Sequence, residues 1–137
     1  MFEQIVVAVD GSPQGGKTVP AAVELATRFG SAVTVVHVRE HTKYEGEDVD
    51  LGPEQDAHQI LDSAVEAFRA AGVQAEPVLR RVAPGHTPEE IVAAAREQDA
   101  GLIVMGTRGM TELRSLVLGG VANKVVHHAH CPVLLVR

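Results

Sequence analysis

A chain of 137 residues is long enough for one domain, residues 1–137, that buries about two-thirds of the surface its unfolded form exposes. Twelve basic against eighteen acidic residues leave a net charge of -6, which argues against nucleic acid as a partner, and the aromatic content of 3% leaves no stacking platform for bases. The single cysteine rules out an intrachain disulfide and fits a reducing cytoplasm, while no leader pattern opens the chain and no apolar run reaches the roughly 18 residues of a membrane span.

The first element is the run from Ile5 to Val9, short, apolar and closed by Asp10-Gly11, as a buried strand is. Ser12-Pro13 offers an N-cap and a first-turn proline. Val19, Ala22, Val23, Ala26 and Phe29 then recur at helical spacing up to Gly30, a natural stop. Ala32 to Val38 reads as a second strand. Arg39 to Gly52 reads as a polar loop. Glu40, Glu45, Glu47, Asp48, Asp50, Glu54 and Asp56 face only Arg39 and Lys43, so most of the chain's net charge lies here. The stretch lacks the ligand spacing of a calcium loop.

From Pro53 onward, Ile60, Leu61, Ala64, Val65, Phe68 and Ala71 mark a second helix that ends at Gly72. Val73 to Val82 is a weaker, more polar strand, as edge strands often are. Thr87-Pro88-Glu89-Glu90 has the form of a capping box, and Ile91, Val92 and Ala95 give the helix behind it an apolar face. A fourth strand, Leu102 to Met105, runs into Gly106-Thr107-Arg108-Gly109. Nine residues later Gly119-Gly120-Val121 opens a helix to Ala129, and Cys131 to Arg137 forms the last strand.

Alternating strands and helices with short turns predict an α/β domain: a single open parallel five-stranded sheet with helices on both faces, Rossmann-like. Ligands of such sheets bind beyond the carboxyl ends of the strands, where strand order reverses. Glycines after the fourth strand let backbone approach a ligand, and free N–H groups at the start of the last helix suit phosphate. No Gly-Lys-Ser/Thr follows this glycine loop, so it is not a Walker loop. Its spacing is not the dinucleotide fingerprint either. Turn chemistry alone also explains Gly106 and Gly109, and Asp10 beside Gly11 is equally a turn or capping aspartate.

At these residues the chain resembles the universal stress protein family, in its UspA-like and ATP-binding branches. The resemblance runs from Ile5-Val6-Val7-Ala8-Val9-Asp10-Gly11-Ser12 through Val36-His37-Val38, and through Gly85 and Ile91. It continues in Ile103-Val104-Met105-Gly106-Thr107-Arg108-Gly109 and ends with Cys131 to Val136. It implies a fold like that of the adenine nucleotide alpha hydrolases. It further implies a cytoplasmic stress-response protein that binds ATP, with Mg²⁺, as a nucleotide-responsive regulator. The branch pattern is Gly-x2-Gly-x9-Gly followed by Ser or Thr. This chain supplies Gly106, Gly109 and Gly119, but Gly120 stands at the hydroxyl position. Carried over, the resemblance puts Ala8, Val9 and Asp10 beside the nucleoside, Val38 at the adenine and Met105 on the pocket floor. Gly106, Arg108 and Gly109 would wrap the phosphates, with Gly119, Gly120 and Val121 completing the cradle and Arg114 as a lesser contributor. It also implies a homodimer through the Cys131–Arg137 strand and protein partners that the sequence does not name. The alternative of another class is a nucleotide-free, UspA-type dimeric interaction module, which Gly120 favours.

An adenylating enzyme of pyrophosphatase type is disfavoured, because its Ser-Gly-Gly-x-Asp-Ser loop is replaced by Asp10-Gly11-Ser12-Pro13. No nucleophile, base and orienting group can be assembled, so slow ATP hydrolysis is the most that is expected. His127, His128, His130 and Cys131 invite a metal reading, but no second cluster stands at a zinc spacing. At the end of a helix they also suit the dipole.

Overall fold

The computed structural model describes residues 1–12, 16–44, 47–51, 57–107 and 120–137. The elements in chain order are β1 (Gln4–Ala8), α1 (Thr18–Phe29), β2 (Ala32–Tyr44), β3 (Glu47–Leu51), α2 (Ala57–Ala70), β4 (Ala75–Val82), α3 (Thr87–Glu97), β5 (Leu102–Gly106), α4 (Gly120–His128) and β6 (Val133–Val136). Five strands are parallel, in the order β4-β2-β1-β5-β6. Val7 sits at the centre, in register with Val35 on one side and Val104 on the other. From β1 the chain first builds outward through β2 to β4, then returns to build β5 and β6 on the other side. Strand order therefore reverses between β1 and β5.

Strand alternation divides the core in two. Ile5, Val7, Val33, Val35 and Val104 pack with Ala22 and Ala26 of α1 and with Leu61 and Phe68 of α2. Val6, Val36, Ile103 and Met105 pack with Ile91, Val92 and Ala95 of α3 and with Ala122 and Val125 of α4. Both faces of the sheet are covered, which is why β1 and β5 are nearly uninterrupted apolar runs.

Three expectations are corrected. The stretch 39–52 is not simply a loop: β2 continues to Tyr44, and β3 returns antiparallel to it, pairing Glu40 with Leu51 and Tyr44 with Glu47. The expected capping turn of Ser12 and Pro13 runs into residues outside those described; α1 is described from Thr18, behind Lys17, whose backbone is already helical. Thr87 is not the cap of a capping box but the first helical residue of α3, behind His86. Its hydroxyl donates instead to Glu40 Oε1 at 3.1 Å, fastening the start of α3 to the outer part of β2. The last strand is shorter than Cys131–Arg137, spanning Val133–Val136. The expected start of α2 at Pro53 lies outside the described residues, and the helix is described from Ala57.

β3 has a definite side. Within β2, Val33 to Val36 have β1 on one edge and β4 on the other, and Glu40 has both Val82 and Leu51 as partners. β3 therefore takes the edge of β2 that β1 occupies further back. It lies beyond the carboxyl end of β1.

Candidate nucleotide site at the carboxyl ends of the strands

The reversal between β1 and β5 opens a crevice at their carboxyl ends. On the β1 side, Val9 N–H donates to the Val36 carbonyl at 2.9 Å. The Val9 carbonyl meets Nδ1 of His37 at 2.8 Å, and His37 is only 5% exposed. A carbonyl can only accept, so Nδ1 carries the proton. That ring bolts the end of β1 to β2 and fixes where the next residue, Asp10, leaves the sheet. Gly11 follows at φ 77°, a left-handed turn that favours glycine. Asp10 Oδ1 accepts from the Ser12 N–H at 2.9 Å. The turn role weighed for Asp10 is thus present. A carboxylate has roughly four acceptor positions, so this bond leaves capacity for a ribose hydroxyl or a metal ion.

Val38 lies two residues beyond Val36, the last residue of β2 in register with β1. Backbone groups at i and i+2 of a strand point to the same edge. The Val36 carbonyl points toward β1, so the backbone of Val38 points to that edge as well, past the last β1 residue in register. An edge of this kind can hydrogen-bond a purine. On the β5 side, Met105 is buried among the α3 and α4 residues, in register with Leu135. Gly106 pairs with Val136, and Thr107 N–H donates to the Val136 carbonyl at 3.0 Å.

Gly120 and Val121 begin α4 and are exposed. A Cβ added at Gly120 would meet nothing within 4 Å. Arg108, Gly109 and Gly119, with Arg114, lie outside the described residues. The described residues thus bring Ala8, Val9, Asp10, Val38, Met105 and Gly106 to one end of the sheet. The starts of α1 and α4 stand at that same end, because helices in right-handed crossovers run opposite to the strands.

A second pattern at this end was missed in the sequence. Gly11, Gly16, Lys17 and Thr18 have the spacing Gly-x4-Gly-Lys-Thr, and they join β1 to α1. The signal is the spacing itself.

Among the described residues no group of three metal-ligating side chains comes together. His127 Nδ1 meets the Asn123 carbonyl at 2.8 Å, the local bond of a helix end, and burial pushes the Cys131 thiol above its usual range. Among the described residues no helix is long and apolar enough to cross a membrane.

The sequence profile of the Universal stress protein family matches residues 1–137. The chain belongs to this family. It is 39% identical over 142 residues to a universal stress protein of Thermus aquaticus, and 32% identical over 151 residues to universal stress protein YxiE of Bacillus subtilis, with full coverage of both partners in each case. Its fold is similar to that of the universal stress protein from Archaeoglobus fulgidus solved in complex with dAMP. There the TM-score is 0.73 at 31% identity, covering 99% of this chain and 98% of that one. The family's α/β fold, five parallel strands and four helices, is the architecture described above.

Proposed function

We propose that this universal stress protein binds ATP, with Mg²⁺, in the crevice between the ends of β1 and β5, and acts in the cytoplasm as a nucleotide-responsive regulator of stress responses. The observation that carries the reading is the convergence of Asp10, the Val38 backbone, Gly106 and the start of α4 at the reversal of strand order. A relative of the same fold solved with dAMP supports an adenine nucleotide there. The Val38 edge would meet the base and the Asp10 carboxylate a ribose hydroxyl or the metal. Mg²⁺ keeps several waters and takes one or two carboxylates besides phosphate oxygens, so the donors present fit it. The ion would neutralise phosphate charge. Arg108 would add a fixed positive charge. Among the described residues no nucleophile, base and orienting group come together at the site, and the proposed hydrolysis is at most slow. The regulator would work as a homodimer joined through β6, the strand that carries Val133 to Val136 at an edge of the sheet.

Calorimetric titration with ATP and Mg²⁺ tests the reading. Saturable binding is expected. Folded, nucleotide-free protein that takes up no ATP at millimolar concentration would promote the second reading, a nucleotide-free dimeric interaction module. One residue favours that module: Gly120, where the ATP-binding pattern has a hydroxyl. The same residue gives a sharper test. Nothing stands within 4 Å of a Cβ there, so Gly120→Ser fits without strain and supplies the missing donor. A hydrogen bond to a charged acceptor is worth about 1.5–3 kcal/mol, so ATP should bind roughly tenfold to a hundredfold more tightly. Equal or weaker affinity would show that α4 does not cradle the phosphates.

A further inference from the structure

We propose that His37 is the positioning residue of a nucleobase subsite: by taking the Val9 carbonyl it keeps the Val38 N–H and C=O out of the sheet ladder and leaves them as one donor and one acceptor for the edge of an adenine. The inference rests on the nucleotide reading and adds to it a residue that touches no ligand.

The first observation is a ladder that stops one step early. In a parallel pair, a residue whose backbone faces the neighbouring strand donates to the carbonyl one position before its partner. It accepts from the N–H one position after that partner. Ala8 and Val36 are partners, and Val9 N–H accordingly donates to the Val36 carbonyl at 2.9 Å. The next step would join Val38 N–H to the Val9 carbonyl, and Gly11 N–H to the Val38 carbonyl. Among the described residues neither bond is made. Gly11 has turned away at φ 77°. Val9 has not, since its own N–H is still in the ladder.

The second observation is what the Val9 carbonyl does instead. It accepts from Nδ1 of His37 at 2.8 Å. Side chains stand roughly perpendicular to a sheet, so a carbonyl bonded to the ring is drawn off the plane in which the ladder runs. The ring is only 5% exposed, so water does not compete for the bond. Val38 is half-buried, and its N–H is denied the nearest acceptor although burial favours pairing.

The third is that the edge so exposed has two ends. Glu40 faces the same edge and pairs with Leu51 of β3. Among the described residues, Val38 is what lies between the part of β2 paired with β1 and the part paired with β3. From Val36 to Glu40 the opening is about 13 Å of strand, shorter than a strand of usual length and ample for a flat ring lying in the plane of the sheet.

The chemistry of the edge selects the base. Val38 presents a donor beside an acceptor. Adenine presents the complement, the acceptor N1 beside the donor N6. Guanine presents N1–H and O6 in those places, so donor would meet donor and acceptor would meet acceptor. With the ribose held on the Asp10 side, the base has no second way round.

Amide hydrogen exchange, resolved by NMR, tests the device before any ligand is added. In the wild type Val38 N–H should exchange much faster than Val9 N–H, and adenosine should protect it. His37→Phe returns the Val9 carbonyl to the ladder, so Val38 N–H should be protected without ligand. Adenosine and ATP should then bind about tenfold more weakly, and the preference for ATP over GTP should shrink, while the affinity for inorganic tripolyphosphate stays as in the wild type. His37→Asn, whose amide nitrogen stands near the place of Nδ1, should restore both the fast exchange and the affinity. An unprotected Val38 amide in His37→Phe, or losses equal for adenosine and tripolyphosphate, would mean a merely structural ring and overturns the inference. If the phenylalanine variant does not fold, the wild type decides: slow Val38 exchange in the free protein, or adenosine binding that leaves that amide unprotected, overturns it too. A wild type that binds ATP no better than GTP overturns the inference and leaves the nucleotide reading standing. One that binds no nucleotide overturns both.

Discussion

His37 links a buried ring to the geometry of the crevice through one bond, to the Val9 carbonyl at 2.8 Å. His37→Phe keeps the ring's bulk and removes the donor. A buried carbonyl left without a donor costs about 1–3 kcal/mol, so the variant should unfold at lower urea by that amount. ATP affinity should fall as well, because the exit of Asp10 is no longer fixed. His37→Gln, which can still donate, should recover part of both. Undiminished ATP affinity in His37→Phe would show that the bolt does not serve the site. A second residue is governed by contact alone. A Cβ on Gly101 would stand 1.8 Å from the Met1 carbonyl oxygen, and Gly101 N–H donates to the Gln4 carbonyl at 2.9 Å. The opening segment cannot move away freely: Phe2 packs edge-on against Phe29 at 5.2 Å, and its carbonyl accepts from the Ser31 hydroxyl. Gly101→Ala should therefore cost about 1–3 kcal/mol, the usual range for forced overpacking. A melting temperature equal to that of the wild type would mean that the first two residues yield without cost.

Among the elements, β4 lies beside β2, and Arg80 ties it to a helix. Arg80 reaches Glu90 Oε1 at 2.9 Å and also bonds Glu97, both on α3. The bond to Glu97, with the charges of both carboxylates, holds the guanidinium above its ordinary pKa against the opposing effect of burial. Its side chain is 29% exposed, so screening limits the value of the cluster. Arg80→Met should cost about 1 kcal/mol and raise hydrogen exchange in β4 more than in β1; uniform protection across both strands would refute this link. Elements of this kind were unevenly legible in the sequence. β1 and β5 were plain, because a parallel strand covered on both faces is a continuous apolar run. The β2–β3 hairpin was hidden. Arg39 to Leu51 is charged at most positions, with no apolar alternation, and antiparallel pairing is supplied by backbone that leaves no mark on residue type. The start of α3 was hidden for a different reason. Thr87 is a good capping residue by type, but its hydroxyl is engaged by Glu40 from β2. Local chemistry was read correctly as polar bonding; the partner was set by tertiary structure.

At the scale of the molecule, the order of elements sufficed for the sheet, because right-handed crossovers and a single reversal leave few ways to stack five parallel strands. The position proposed for the site follows from that reversal, and Asp10, Gly106 and Gly120 are the residues of the proposed rim that sequence alone makes legible. The other edge of the sheet carries the dimer proposal. Among the described residues β6 pairs only with β5, so its outer edge has no described partner strand, and such an edge is a template for a second strand. Pairing about a twofold axis would set two copies of β6 antiparallel in an isologous interface. The residue that probes it is decided by burial. Leu135 packs into the α3–α4 side of the core, so a charge there would test folding, whereas Leu134 is 37% exposed. Sedimentation equilibrium at tens of micromolar protein should give a mass near twice the chain's 14.5 kDa for the wild type and a shift toward the monomer for Leu134→Lys, with the melting curve of the variant confirming that it is folded. A wild-type mass near 14.5 kDa would contradict the dimer. A Leu134→Lys protein that stays dimeric would place the interface away from β6.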